Sequence, residues 1–238
     1  WAASVMYYQH GEDFDLETPC SEHGSASSYC VSVIDVLKSD EDGQSARLRG
    51  TYRGCWRGLY AEAVGGEMDM TNASSSIGQV LESWTETTLA GLSVTKKRSA
   101  RPEASSSENE IGSAARILVI GLGCGQLVSF LQNHVENVEL LVVEASQKMV
   151  DIAAEYFQLP PSLLRCVSVV DPNEFVKRQC SGDQHVGDLF DTVIVNICSI
   201  DDTFPHQLMN DDFFNGLISI LSNHSAATML VNPGKDVE

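Results

Sequence analysis

Three glycines alternate with other residues directly after a short apolar run, at Gly121, Gly123 and Gly125. Glycine tolerates positive φ angles and has no Cβ, so the backbone of such a loop can approach a ligand closely. The residues that follow have helical character, and the N-terminus of a helix offers unpaired N–H groups and the positive end of its dipole. The pattern therefore predicts a ligand-binding loop that includes Leu122. A glycine turn without a ligand is the alternative.

The spacing of these glycines discriminates between two classes of nucleotide ligand. Dinucleotide-binding loops favour G-x-G-x-x-G, whose third glycine lets the helix approach the strand beneath a pyrophosphate. Here that third position is Gln126, and the glycine lies at position 125 instead. The pattern G-x-G-x-G suits S-adenosylmethionine, which has no pyrophosphate, and we expect this cofactor.

Two acidic residues further along the chain are placed to hold the rest of a nucleoside. Glu144 ends the second predicted strand, 19 positions after Gly125 (144 − 125). An acid about 20 residues past the loop is the expected ligand of the ribose hydroxyls. Asp171 follows the third strand, where it could accept a hydrogen bond from the adenine amine, and we add the neighbouring Ala145 and Pro172 to the predicted cofactor site. The alternative for Glu144 is a solvent-exposed acid without a ligand. The alternative for Asp171 is a helix cap, although one side chain could both cap the helix and contact the adenine.

The candidate catalytic groups follow the fourth predicted strand, at the carboxyl edge where ligands of open α/β sheets bind. They are Asn196, which we also expect to contact the cofactor, and Asp201. Methyl transfer from a sulfonium needs a neutral nucleophile held about 3 Å from the methyl carbon, and it needs no metal. An amine acceptor must first lose its proton, and asparagine can orient an amine but cannot act as a base. The alternative is that Asp201 and Asp202 form a solvated loop.

Alternating strands and helices must position these residues from about residue 116 onward. Such repeats imply right-handed crossovers and a parallel sheet that is covered on both faces. The sequence therefore predicts an α/β fold, a Rossmann-like doubly wound sheet over residues 75–238, with a first helix at 75–94 and an exposed Ser-rich loop at 96–111. The predicted strands are 116–120, 138–143, 166–170, 190–198 and 226–231, and the helices between them are 125–135, 147–157, 172–179 and 211–222.

The first 74 residues have a different texture. Residues 1–28 are polar and acidic, with Ser and Gly clusters, and predict a loosely ordered arm. Two runs rich in β-branched residues, 29–36 and 46–52, flank a turn signal and predict a β-hairpin. With a third short strand expected near 58–64, we predict a small β-hairpin region over residues 29–74.

Charge and cysteine usage restrict the partners and the compartment. The formal net charge of −18 argues against direct binding to nucleic acid, which needs clustered Lys and Arg. It suits a protein substrate or partner subunits with a basic surface, whereas the alternative is that the acidic surface only confers solubility. No run approaches the roughly 18 apolar residues of a membrane span. Seven cysteines without a C-x-x-C pair argue against a zinc site and favour a reducing compartment, the cytosol or the mitochondrion.

Several of these segments together resemble the spermidine synthase-like branch of class I methyltransferases, and within it the elongation factor 1-alpha lysine and N-terminal methyltransferases. The resemblance extends from about residue 84 to residue 231, and it implies S-adenosylmethionine as cofactor and a protein amine as methyl acceptor. It also implies a homodimer, since polyamine synthases of this branch dimerise. The segments that carry it are 89–93, 119–125, 142–146, 168–172 and 190–196.

Three departures from the family pattern favour a second hypothesis. Ser146 stands where the family usually has Asp, and Asn196 stands where it has an aspartate. Because that aspartate helps polyamine synthases to deprotonate the attacking amine, aminopropyl transfer is disfavoured here. The usual last two strands are not seen before Glu238, so that either the fragment is cut short or the sheet is abbreviated. These features also fit a catalytically inactive methyltransferase-like subunit that is a structural component of a larger complex.

Overall fold

The computed structural model describes residues 114–181, 189–197, 204–222 and 227–231, and four strands that precede them. Those four strands form an antiparallel sheet in which each strand pairs with the next along the chain. They are β1 (Tyr7–Leu16), β2 (Tyr29–Ser39), β3 (Ser45–Arg53) and β4 (Glu62–Asp69).

The antiparallel sheet agrees in part with the prediction. β2 and β3 form the expected hairpin, with Ser39 opposite Ser45 at its turn. β4 begins at Glu62, later than the predicted third strand. The loosely ordered arm predicted for residues 1–28 is wrong over β1, which pairs with β2 on both sides of an irregularity between His10 and Phe14. The polar sequence of β1 does not indicate a strand, because pairing with a neighbouring strand can override a low intrinsic β propensity.

The second sheet contains five parallel strands in the order β7-β6-β5-β8-β9, and it confirms the predicted Rossmann-like, doubly wound α/β fold. The predicted helix 75–94 and the loop 96–111 lie outside the described residues. The strands are β5 (Ala115–Ile120), β6 (Val138–Glu144), β7 (Val167–Val169), β8 (Thr192–Val195) and β9 (Thr228–Val231). Among the residues that the structure describes, the helices are α1 (Gln126–His134), α2 (Gln147–Tyr156), α3 (Pro161–Leu164), α4 (Pro172–Ser181) and α5 (Asp211–Ser219), with a 3-10 turn at His206–Leu208.

β5 lies at the centre of the sheet, and its side chains alternate between two hydrophobic clusters. Ile117 and Val119 belong to a cluster with buried residues of α1 and α2. Leu118 and Ile120 belong to a second cluster with buried residues of α4 and α5. Because successive side chains of a strand point to opposite faces, the sheet is covered on both sides. Burial on both faces explains why β5 contains a continuous apolar run.

Element boundaries mostly agree with the predictions to within a few residues. The predicted strand 190–198 is shorter, since β8 covers Thr192–Val195 and Phe190 forms only an isolated bridge to Leu221. Pro161 is the first residue of α3. Proline fits the first helical position, where no N–H is needed. Within the described part of the chain, no helix combines the length and the apolar character needed to cross a bilayer.

Asp191 ties three segments together at the amino end of the sheet. Its Oδ2 accepts a hydrogen bond from the N–H of Arg116 at 2.9 Å, and its Oδ1 accepts one from the hydroxyl of Ser222 at 3.1 Å. Its backbone carbonyl accepts the N–H of Thr228 at 3.0 Å. One residue therefore connects the start of β5, the segment after α5 and the start of β9.

Replacing Asp191 with alanine is expected to lower the free energy of unfolding by about 2–3 kcal/mol, because a part-buried N–H and a hydroxyl lose their acceptor. Asp191→Asn keeps one oxygen acceptor and should cost about half as much. Urea unfolding of both variants measures the two values. A loss below about 0.5 kcal/mol for the alanine variant, the size of an ordinary surface substitution, would contradict this role for the carboxylate.

Candidate functional site

The carboxyl edge of the parallel sheet brings four predicted site segments together. Residue 121 follows β5, and its N–H donates to the carbonyl of Val143 in β6 at 2.7 Å. Asn196 follows β8, and its N–H donates to the carbonyl of Ile120 in β5, also at 2.7 Å. The chain runs outward from β5 to β6 and β7 and then returns to β8 on the other side of β5. The gap between β5 and β8 is therefore the switch point at which open α/β sheets bind ligands.

All three glycines of the loop adopt positive φ angles, +97° at Gly121, +55° at Gly123 and +81° at Gly125. Two of them also make room for other parts of the protein. A Cβ on Gly121 would lie 2.1 Å from the carbonyl oxygen of Asn196, and a Cβ on Gly125 would lie 2.7 Å from Cδ1 of Leu159. The requirement for glycine at these two positions therefore comes from backbone conformation and internal packing.

The loop leads into α1 without a side-chain cap. Gly125 is the N-cap residue, and the first turn of the helix contains no acidic side chain. A helix start of this kind presents backbone N–H groups and the positive end of its dipole without a competing carboxylate of its own. The arrangement favours a ligand with a negative or electron-rich group at this place.

The carboxylate of Glu144 bridges two loops. Its Oε2 accepts the N–H of Leu122 and its Oε1 accepts the N–H of Ser146, each at 2.9 Å. The side chain is part-buried, so the alternative of a solvent-exposed acid is wrong. An ionised carboxylate offers about four lone-pair positions, and these two bonds leave acceptor capacity for further donors such as a pair of hydroxyls.

Burial raises the pKa of the Glu144 carboxyl above its ordinary value. Nearby backbone N–H groups act in the opposite direction, because they stabilise the charged form: Leu122 and Ser146 donate the two hydrogen bonds described above, and Ala145 and Gly123 make smaller contributions. The raised pKa shows that desolvation outweighs these donors in the ligand-free protein. Additional donors placed against the carboxylate would lower its pKa again.

Ser146 is the N-cap residue of α2. Its hydroxyl accepts a hydrogen bond from the N–H of Met149 at 3.4 Å. Serine and aspartate are about equally good N-caps. Serine at this position therefore begins the helix about as well as an aspartate would.

Asp171 has the capping role that the sequence left open as an alternative. Its Oδ1 accepts the N–H of Glu174 at 3.1 Å, and its carbonyl accepts the N–H of Phe175 at 2.8 Å. Pro172 is buried at the first position of α4. Contact of Asp171 and Pro172 with an adenine ring stays a prediction.

Of the two candidate catalytic residues, the structure describes only Asn196. Asn196 is part-buried, and its backbone lies against Gly121 at the switch point. Asp201 and Asp202 lie outside the described residues, so their contribution stays a prediction. Over the described ranges there is no group of three or more His, Cys, Asp or Glu residues that could hold a metal ion.

Strand order, glycine loop and strand-end acid together define a Rossmann-like fold of the methyltransferase type. The fold is shared with a probable spermidine synthase from Corynebacterium glutamicum ATCC 13032, which is 14% identical with a TM-score of 0.51, over 80% of this chain and 57% of that one. No protein-family model matches the chain.

Two further proteins are similar to parts of this chain. Over 85 residues, 36% of this chain, the sequence is 34% identical to the eEF1A lysine and N-terminal methyltransferase homolog of Drosophila melanogaster. Human methyltransferase-like protein 13, solved in complex with SAH, is 20% identical with a TM-score of 0.47, over 58% of this chain and 59% of that one. The match spans only 12% of the length of the Drosophila protein. The 34% identity to the Drosophila protein confirms the resemblance that the sequence motifs indicated.

Proposed function

We propose that this chain binds S-adenosylmethionine and transfers its methyl group to an amine of a protein. The observation that carries the proposal is the bridging carboxylate of Glu144, which lies beside the glycine loop at the carboxyl edge of the sheet. The similarity to proteins named as methyltransferases supports it. When bound, this cofactor supplies a methyl group that its sulfonium has already activated for displacement.

The described residues fit the parts of such a cofactor. Glu144 has acceptor capacity for the two ribose hydroxyls, and the backbone of Leu122 and Gly123 lies beside it. The uncapped start of α1 suits the electron-rich carboxylate end of the amino-acid portion. Ala145 and the pair Asp171–Pro172, which follow β6 and β7, would flank the adenine ring.

The acceptor side of the proposed site contains an amide where a base would be useful. Asn196 can accept a hydrogen bond from an amine and orient its lone pair, but it cannot take up a proton. The amine must therefore arrive neutral or lose its proton to another group, and we propose that Asp201 orients it together with Asn196. A basic protein substrate would also complement the net charge of −18.

The presence of Asn196 at this position supports a second candidate function, a subunit that keeps the fold and has lost catalysis. Fold alone does not decide between the two, because one architecture serves many functions. Binding of the cofactor separates them. An active enzyme must bind it, whereas a purely structural subunit need not.

Titration calorimetry of the 238-residue chain with S-adenosylhomocysteine tests the proposal. We expect saturable binding with a dissociation constant in the micromolar range, and no binding of NAD, since position 126 lacks the third glycine of dinucleotide loops. Transfer of labelled methyl groups from S-adenosylmethionine to a lysine-rich protein would then establish turnover. Absence of binding would contradict the proposed cofactor site and favour the structural subunit.

A further inference from the structure

The connection between α2 and α3 contains a strained residue. Gln158 has a φ of +56°, and among the described non-glycine residues only Asn137 shares a positive φ. Asparagine adopts this conformation comparatively often, whereas a long side chain such as glutamine does so rarely. Such strain persists only where the surrounding structure holds it, and it clusters at functional sites.

The strained residue turns the next side chain toward the glycine loop. Three side-chain carbons of Leu159, Cδ1, Cγ and Cδ2, lie 2.7, 3.5 and 3.6 Å from the point that a Cβ of Gly125 would occupy. Leu159 is only 4% exposed, and its N–H donates to the carbonyl of Ala153 at 3.1 Å. The leucine is thus held by α2 and fills the space that the glycine leaves.

We propose that Leu159 is a positioning residue for the ligand loop. Gly125 is both the last glycine of the loop and the N-cap of α1, so a side chain packed against it fixes where the loop ends and where the helix begins. The N–H of Gly125 also donates to the carbonyl of Leu122 at 3.0 Å, so the position of Gly125 constrains the centre of the loop as well. Leu159 positions the loop whether or not a ligand is bound. An effect of Leu159 on the affinity for S-adenosylhomocysteine rests on the proposed function.

The test compares Leu159→Ala with Leu163→Ala as a matched control. Both substitutions delete the same atoms, and both residues are buried in the same hydrophobic cluster. However, the nearest atoms to the Cβ point of Gly125 all belong to Leu159. Hydrogen exchange of the peptide covering residues 121–127, measured without ligand, reports the order of the loop directly.

Leu159→Ala is expected to speed exchange in this peptide by about tenfold or more, through local opening of the loop, while Leu163→Ala changes it by less than about threefold. In a parent that binds S-adenosylhomocysteine, we expect the first variant to weaken binding by about tenfold to a hundredfold, because a small displacement of a positioning backbone is costly. Equal acceleration of exchange in both variants would overturn the proposal.

Three further variants extend the test, and one of them, Leu159→Met, serves if Leu159→Ala folds poorly. Leu159→Met conserves volume and should keep slow exchange in the loop. Gly125→Ala alone is expected to clash with Leu159, and adding Leu159→Ala removes the clashing atom, so the double variant should exchange more slowly than Gly125→Ala alone. Additive effects would contradict direct packing. Failure of the parent to bind S-adenosylhomocysteine would refute the proposed function, while the exchange data would still decide the role of Leu159.

Discussion

Gly121→Ala is expected to lower the free energy of unfolding by about 2–6 kcal/mol, as the sum of backbone strain and overpacking, and to abolish binding of S-adenosylhomocysteine. The φ of +97° is strained for any residue with a Cβ. The added Cβ would lie 2.1 Å from the carbonyl oxygen of Asn196 and 3.2 Å from Cγ1 of Ile197. Relief would require β5 and β8 to separate, and a 2.7 Å hydrogen bond from Asn196 to Ile120 opposes that movement.

Urea unfolding and calorimetry measure the two effects of this substitution. Gly123→Ala is the matched control, since its φ of +55° lies in the left-handed region that other residues adopt at a cost of about 1–2 kcal/mol. The control variant should therefore remain folded and lose less stability. If the two variants lost equal stability, close packing of Gly121 against Asn196 would not be the reason for glycine at position 121.

Glu144→Ala is expected to weaken binding of S-adenosylhomocysteine at least about a hundredfold, which corresponds to about 2.8 kcal/mol at 1.4 kcal/mol per factor of ten. The variant loses the proposed acceptor of the ribose hydroxyls and also the bridge between the N–H groups of Leu122 and Ser146. Glu144→Gln has the same shape, but its amide nitrogen would face one of these two N–H groups. We expect this variant to bind at least about tenfold more weakly than the parent.

The raised pKa of Glu144 predicts a pH dependence of binding. The ionised form accepts hydrogen bonds from the ribose, so affinity should fall as the pH decreases through this raised pKa, at milder acidity than for an ordinary glutamate. The free energy of unfolding of the ligand-free protein has the opposite dependence on pH. Because folding favours the protonated form, the contribution of this group is present at acid pH and is lost as the pH rises through the same pKa.

Calorimetry at a series of pH values from neutral to acid measures this dependence. The parent should lose affinity toward the acid end, whereas Glu144→Gln should bind with nearly constant, weak affinity. An identical acid dependence in both proteins would assign the titration to another group. A parent whose affinity does not change with pH would show that Glu144 does not contact the ligand in its charged form.

The sheet could be predicted from sequence because its strands carry a strong local signal. All four residues of β5 from Ile117 to Ile120 are apolar and buried, and a continuous run of this kind is typical of a central parallel strand. β1 had no such signal, since Gly11, Glu12 and Asp13 have low β propensity, and its assignment depends on the pairing of the residues on either side of them with β2. Prediction therefore succeeded where a segment alone determines its structure.

The candidate site, too, could be predicted only where the local sequence determines its structure. The position of Glu144 at a strand end was predictable from its distance to the loop, but its two backbone donors depend on the register that places Ile120 beside Val143. The contact between Leu159 and Gly125 depends on a positive φ at Gln158, which its residue type disfavours. No local pattern shows a contact that two distant segments create by folding.

The bridge made by the carboxylate of residue 144 has a consequence for the kinetics of ligand capture. Its oxygens are already aligned by two amides before any ligand arrives, so the sugar would meet an acceptor that needs little reorganisation. Preorganisation of this kind reduces the loss of conformational entropy on association. The proposed sugar subsite should therefore capture its ligand without a slow conformational step, and differences in affinity among ribose-modified analogues should appear mainly in their dissociation rates.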